Sequence, residues 1–98
     1  MAGLRFSWDP RKAHANVRKH GVSFEEAETV FLDEYAILID DPDPERDEDR
    51  FLLLGLSGAA RILVVCHCVW DDGGTIRIIN ARRSTRQEQR QYLERLKK

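Results

Sequence analysis

The apolar positions change period along this chain, and each change marks an element. Leu4-Arg5-Phe6-Ser7-Trp8 alternates apolar and polar side chains, the two-residue period of a short strand. Asp9-Pro10 then predicts a helix start, with Asp as cap and Pro at the first helical position, where its missing N–H is harmless. That helix runs to about His20, with Ala13 and Val17 on one face, and Gly21 supplies the left-handed residue that ends it. A second helix begins at once. Ser23 and Glu26 have capping-box spacing, Val22 and Ala27 have staple spacing, and Phe24, Ala27, Val30 and Phe31 form a buried stripe.

Beyond the helices the period returns to two. Tyr35 to Ile39 is a strand by composition, and residues 40–49 form an acidic loop that Pro42 and Pro44 keep extended. Arg50 to Leu56 predicts a strand with Arg50, Leu52, Leu54 and Leu56 on one face. Gly58-Ala59-Ala60 gives a turn, and Ile62 to Trp70 is apolar enough for a central strand covered on both faces. Asp71-Asp72-Gly73-Gly74 predicts a hairpin turn, and Thr75 to Ala81 the next strand. A last helix starts near Ser84 or Thr85, where Thr85 and Glu88 repeat the capping-box spacing, and carries Tyr92, Leu93 and Leu96 as its apolar positions. The order β-α-α-β-β-β-β-α predicts an α+β fold: an antiparallel sheet, two N-terminal helices and a C-terminal helix.

Composition adds bounds. Ninety-eight residues are expected to make a single domain, and 42% apolar with 34% charged residues describes a soluble globular chain. No apolar run nears the roughly 18 residues of a membrane span, and Met1-Ala2-Gly3-Leu4-Arg5 lacks a signal-peptide shape, so the cytoplasm is the expected compartment. Cys66 and Cys68 then read as small apolar residues on a strand. The net charge of −1 hides a division: acids crowd residues 40–49, while Arg82, Arg83, Arg86, Arg90, Arg95, Lys97 and Lys98 crowd the C-terminus.

The candidate chemistry centres on Arg82-Arg83, where an apolar strand runs into a basic helix start. Guanidinium groups beside a helix N-terminus suit phosphate and the charge of a phosphoryl transition state; the plainer reading is a surface pair bonding the acidic loop. Strand alternation would put Arg77 and Arg83 on one face and Arg82 with Ile76 and Ile78 on the other, and the two arginines converge only if the strand ends by Ala81. Lys19-His20 complement the dipole at a helix end, and His is also the side chain best able to move protons near neutral pH. Trp8 reads first as a core or staple residue, with base stacking as the alternative. Glu48 and Arg50 form either an ion pair or a base and a further phosphate contact. Cys66-His67-Cys68 lacks the second ligand pair of a zinc site, so no metal is assigned.

These residues also carry a resemblance. Phe6-x-Trp8-Asp9, Lys12-Ala13, Asn16, Lys19-His20-Gly21-Val22-x-Phe24, Glu26-Ala27, Val30-Phe31, Glu48-x-Arg50, Gly55-x-Ser57 and Ile78-Ile79-x-Ala81-Arg82-Arg83-x-Thr85-x-x-Glu88 together resemble the BrnT family of bacterial toxins. The resemblance implies a RelE-like fold and a metal-independent ribonuclease, without cofactor, that inhibits translation and growth. It implies Lys19, His20, Arg50, Arg82 and Arg83 as active-surface residues, while the basic last helix, with Arg86 and Arg90, would guide the RNA backbone. The implied partner is a BrnA-type antitoxin with a ribbon-helix-helix domain, which alone would touch operator DNA, in an assembly of two toxins around an antitoxin dimer. Asn80 departs from the small Ser more usual before Ala-Arg-Arg.

Two other classes compete. The helix pair around His20-Gly21-Val22 has helix-turn-helix proportions, but Phe24-Glu25-Glu26-Ala27-Glu28 would repel DNA phosphates. A non-enzymatic adaptor would instead use an exposed sheet edge and treat Arg82-Arg83 as interface residues.

Overall fold

Asp9, Gly21, Ser23 and Thr85 punctuate the helices in a computed structural model of the chain, which describes residues 3–40 and 50–97. Helix α1 (Pro10–His20) begins where the Asp9 carboxylate accepts the Arg11 N–H at 2.8 Å, and ends at Gly21 with φ of 70°. Helix α2 (Phe24–Thr29) begins where Ser23 Oγ accepts the Glu26 N–H at 3.0 Å, and tightens into a 3₁₀ turn over Val30–Leu32. The box expected there forms only in half: the Glu26 carboxylate is taken by Arg61 and Ser57. Helix α3 (Arg86–Leu96) has the full Thr85–Glu88 box.

Five strands form one sheet in the order β1-β5-β4-β3-β2: β1 (Arg5–Ser7), β2 (Ile37–Ile39), β3 (Arg50–Leu56), β4 (Ile62–Trp70) and β5 (Thr75–Arg83). The last four make the expected antiparallel meander, and short β1 adds itself parallel to β5. One sheet face is closed by Val22, Phe24, Ala27 and Val30 packing on Leu63, Val65, Ile76, Ile78 and Ala81. The other carries Leu52, Leu54, Val64 and Cys66 under Tyr92 of α3. Tyr92 is that helix's anchor, buried and donating to Asp33 at 2.5 Å, whereas Leu93 and Leu96 are exposed. Gly55 permits the close approach of the Val30 turn to β3, since a Cβ there would lie 2.9 Å from Val30 and Ala36. No helix among the described residues is long and apolar enough to cross a membrane.

Strand β5 departs from expectation in two ways. It continues through Arg83, beyond Ala81, and it carries a bulge: Cys66 pairs with Asn80 but His67 with Ile78, leaving one extra residue, Ile79. The alternation therefore resets. Ile76, Ile78 and Ala81 all enter one core cluster, while Ile79 packs against the other. Arg77 and Arg83 consequently lie on opposite faces, and Arg82 leaves the face of Ile76 and Ile78 and joins that of Ile79.

Helix α1 also buries a residue that helical spacing alone does not select. Val17 is 47% exposed, and Asn16 is 5% exposed. Beyond the β1 pairing, the Asn16 carboxamide donates to the Ala81 C=O at 2.8 Å and accepts its N–H at 3.1 Å, as a further strand would. It also donates to the Val22 C=O at 2.8 Å, tying helix corner and strand edge together.

Candidate functional site

The Asn16 link holds α1 along the free edge of β5 and leaves a groove between them. Lys12, Ala15, Asn16, Lys19 and His20 line one wall at i, i+3, i+4, i+7 and i+8, and Ile79, Asn80 and Arg82 line the other. Its volume is about 400 Å³. Four of its eight lining residues are Lys, Arg or His, and none is a carboxylate, so the groove favours an anion. Lys19 and His20 in the last turn of α1 also complement the negative end of that helix.

Arg82 enters the groove as a fixed group. Its Nη1 and Nη2 donate to the two Glu88 carboxylate oxygens at 2.8 and 2.9 Å, and Nη1 also donates to the Arg83 C=O at 3.2 Å. These bonds use three of the five guanidinium N–H groups, which leaves two for a ligand. Glu88 is held in turn by the Thr85 N–H at 2.8 Å. The Arg82 hydrogen bonds, with help from Thr85, pull the Glu88 carboxyl down to about 2 from 4.5. A carboxylate whose folded pKa is lowered stabilises the fold fully above its unfolded value and loses that contribution as pH falls through the folded value. In Glu88→Gln the stability deficit is therefore expected to be constant above about pH 4.5 and to shrink as pH falls toward 2. Thermal melts of both proteins across that range check this; a deficit independent of pH contradicts it.

The other sequence-predicted residues lie elsewhere. Arg83 is exposed and lines a separate hollow of about 290 Å³ with Ala60, Arg61, Ile62 and Gln89, where its charge helps to keep the Glu26 carboxyl low behind the stronger effect of Arg61. The convergence of Arg82 and Arg83 that required the strand to end by Ala81 is thus not made, because β5 runs on and neighbours diverge. Arg50 pairs with Cys68, two strands over and four residues along β4 from the Val64–Arg82 pair, about 16 Å away by strand geometry. Trp8 packs edge-on against Phe24 at 5.8 Å, and Arg86 and Arg90 are exposed on α3. Glu48 and the acidic loop from 41 to 49 lie outside the described residues.

Cys66-His67-Cys68 alternates across the sheet. His67 sits buried between Phe31 and Phe51, and burial pushes its pKa down. Among the described residues no group of three or more His, Cys, Asp or Glu side chains is placed to hold a metal. Among the polar groove residues, Lys12, Asn16 and Asn80 carry no assigned role in the sequence. Lys12 shares its helix face with Lys19 at i, i+7, a signal that was readable, whereas Asn80 enters through the bulge.

Comparison with known proteins places the chain in a family. A family model described as the ribonuclease toxin BrnT of type II toxin-antitoxin systems matches residues 8–88, which includes every groove residue. A crystal structure of the Brucella abortus ribonuclease toxin BrnT superposes with a TM-score of 0.65, covering 86% of this chain and all of that one. At 20% identity, that likeness speaks for the fold. No curated protein matches the sequence. With the family match extending from Trp8 through Glu88, this chain belongs to the BrnT ribonuclease toxins of type II toxin-antitoxin systems.

Proposed function

We propose that the α1–β5 groove is the active site of a metal-independent endoribonuclease that blocks translation and growth. The observation that carries this reading is the meeting of Lys19, His20 and Arg82 in one cationic groove, although they come from opposite ends of the chain. Metal-free cleavage uses the RNA's own 2′-hydroxyl: its oxygen forms a bond to phosphorus as the bond from phosphorus to the 5′-oxygen breaks. His20 carries a proton in this exchange, to the leaving 5′-oxygen or from the attacking hydroxyl. The two remaining Arg82 N–H groups meet the phosphate oxygens as their charge grows, and Lys12 and Lys19 add positive charge without a carboxylate competitor in the groove wall. A lining of cations and amides suits a phosphate better than a divalent ion, which takes carboxylate oxygens. Arg83, Arg86 and Arg90, exposed outside the groove, serve as backbone-guiding charges, and Arg50 serves a more distant stretch of RNA.

The partner in this reading is a BrnA-type ribbon-helix-helix antitoxin, which neutralises two toxin copies around its own dimer and alone contacts operator DNA. The family's type II standing supports an antitoxin. The test is induction in cells without antitoxin. The wild-type chain is expected to arrest growth, and Arg82→Ala combined with Arg83→Ala to abolish the arrest while accumulating as folded protein. A folded double variant as toxic as the wild type contradicts the assignment.

A further inference from the structure

The groove leaves one basic and aromatic surface unexplained. Arg50, Cys68, Arg77 and Ser7 form a single row across β3, β4, β5 and β1. Alternation puts this row, and Trp70 beside it, on the face that carries Leu52, Leu54 and Cys66. None of Arg50, Cys68, Trp70 or Arg77 belongs to the cluster that Tyr92 of α3 covers, and the Trp70 indole is 48% exposed. The Arg77 guanidinium lies 5.1 Å from the Trp70 ring centroid, and its Nη1 donates to Ser7 Oγ at 2.7 Å. Among the described residues, the buried Arg50 Nε finds no hydrogen-bond partner. No carboxylate among the described residues forms a salt bridge with Arg50 or Arg77, and the Asp9 carboxylate feels the Arg77 charge only weakly, behind its own helix-cap bonds.

We propose that Trp70, Arg77 and Arg50 form a second RNA subsite, taking an unpaired base on the indole and its phosphate on the two guanidinium groups. This rests on the ribonuclease reading and extends it to the nucleotides beside the scissile bond. A half-exposed indole fixed by a cation is a stacking platform that any base can use, and only single-stranded RNA presents a free base. Arg50 brings a second guanidinium to the same row, and the guanidinium fork matches phosphate oxygens. Along β4 the row lies four residues from the Arg82 pair, about 13 Å, a distance that a short single strand bridges. The substrate class is therefore unstructured RNA, with Trp70 and Arg77 determining where along the strand the groove cuts.

The test separates binding from cleavage. A single-stranded oligoribonucleotide of about eight nucleotides, 2′-O-methylated so that it resists cleavage, is titrated onto the full chain while tryptophan emission is followed. Quenching is expected in the wild type and not in Trp70→Phe, which keeps a stacking ring and near-wild-type affinity. Trp70→Ala is expected to bind about 10- to 100-fold more weakly, the loss of one stacked base. Arg77→Gln is expected to weaken binding and lower the salt slope by about one. On an unmodified oligonucleotide, Trp70→Ala is expected to raise KM with kcat preserved. Wild-type affinity in both Trp70→Ala and Arg77→Gln overturns the subsite, as does antitoxin affinity, rather than RNA affinity, falling in these variants. Trp70-dependent binding without cleavage upholds the subsite and refutes the ribonuclease reading.

Discussion

Replacing His20 with alanine is expected to slow RNA cleavage by about 10²- to 10⁴-fold, the range for loss of a positioned proton carrier. The fold is expected to survive. His20 is the last residue of α1, and Asp9, Gly21 and Asn16 fix that helix without it. The dipole contribution of a cation there is about 0.3–1 kcal/mol, a shift of a few degrees in Tm at most. A purely structural His20 would give that small Tm change and near-normal cleavage. Single-turnover cleavage alongside a thermal melt separates the two readings.

Arg82→Ala is expected to lower single-turnover cleavage by about 10²- to 10³-fold, as for removal of one preorganised donor to a developing oxyanion. Arg82→Lys is the informative companion. It keeps a charge but loses the fork that holds both Glu88 oxygens, so it is expected to recover only part of the rate. Arg83→Ala is expected to keep more activity than either, because Arg83 lines a different hollow beside Arg61. Equal losses from Arg82→Ala and Arg83→Ala would show that the divergence of the two side chains across β5 does not govern the chemistry.

What the sequence revealed and what it hid follow from the range of the interactions involved. Asp9-Pro10, Gly21, Ser23 and the Thr85–Glu88 box act within a few residues, and they end helices where spacing predicts. Strands β3 and β4 match their expected bounds because alternation and turn residues are also local. The parallel pairing of β1 with β5 is not local, since it joins residues about 70 positions apart. The bulge was hidden by chemistry: in Ile78-Ile79 two apolar side chains in a row conceal where the period slips. Asn16 reads as an ordinary polar helix residue until the unpaired edge at Ala81 is in view.

The site shows the same division. Arg82 could be named because an arginine pair at a strand end is unusual, and Lys19 and His20 because the family resemblance covers them; the fold brings the three to one groove. Arg83 adjoins Arg82 in the chain but faces away from it, a separation set by two residues of continued strand, while the bulge decides which face each one takes. Trp70 and Arg77 carried no functional role in the sequence because each is ordinary in a strand, and only the cross-strand register sets one over the other.

The most direct test is to incubate purified, antitoxin-free protein with RNA in the presence and absence of EDTA. Cleavage that is undiminished by EDTA, and that His20→Ala and Arg82→Ala each suppress, is the expected result. No cleavage in either sample would contradict the account and favour a non-enzymatic adaptor; cleavage abolished by EDTA would contradict its metal-independent chemistry.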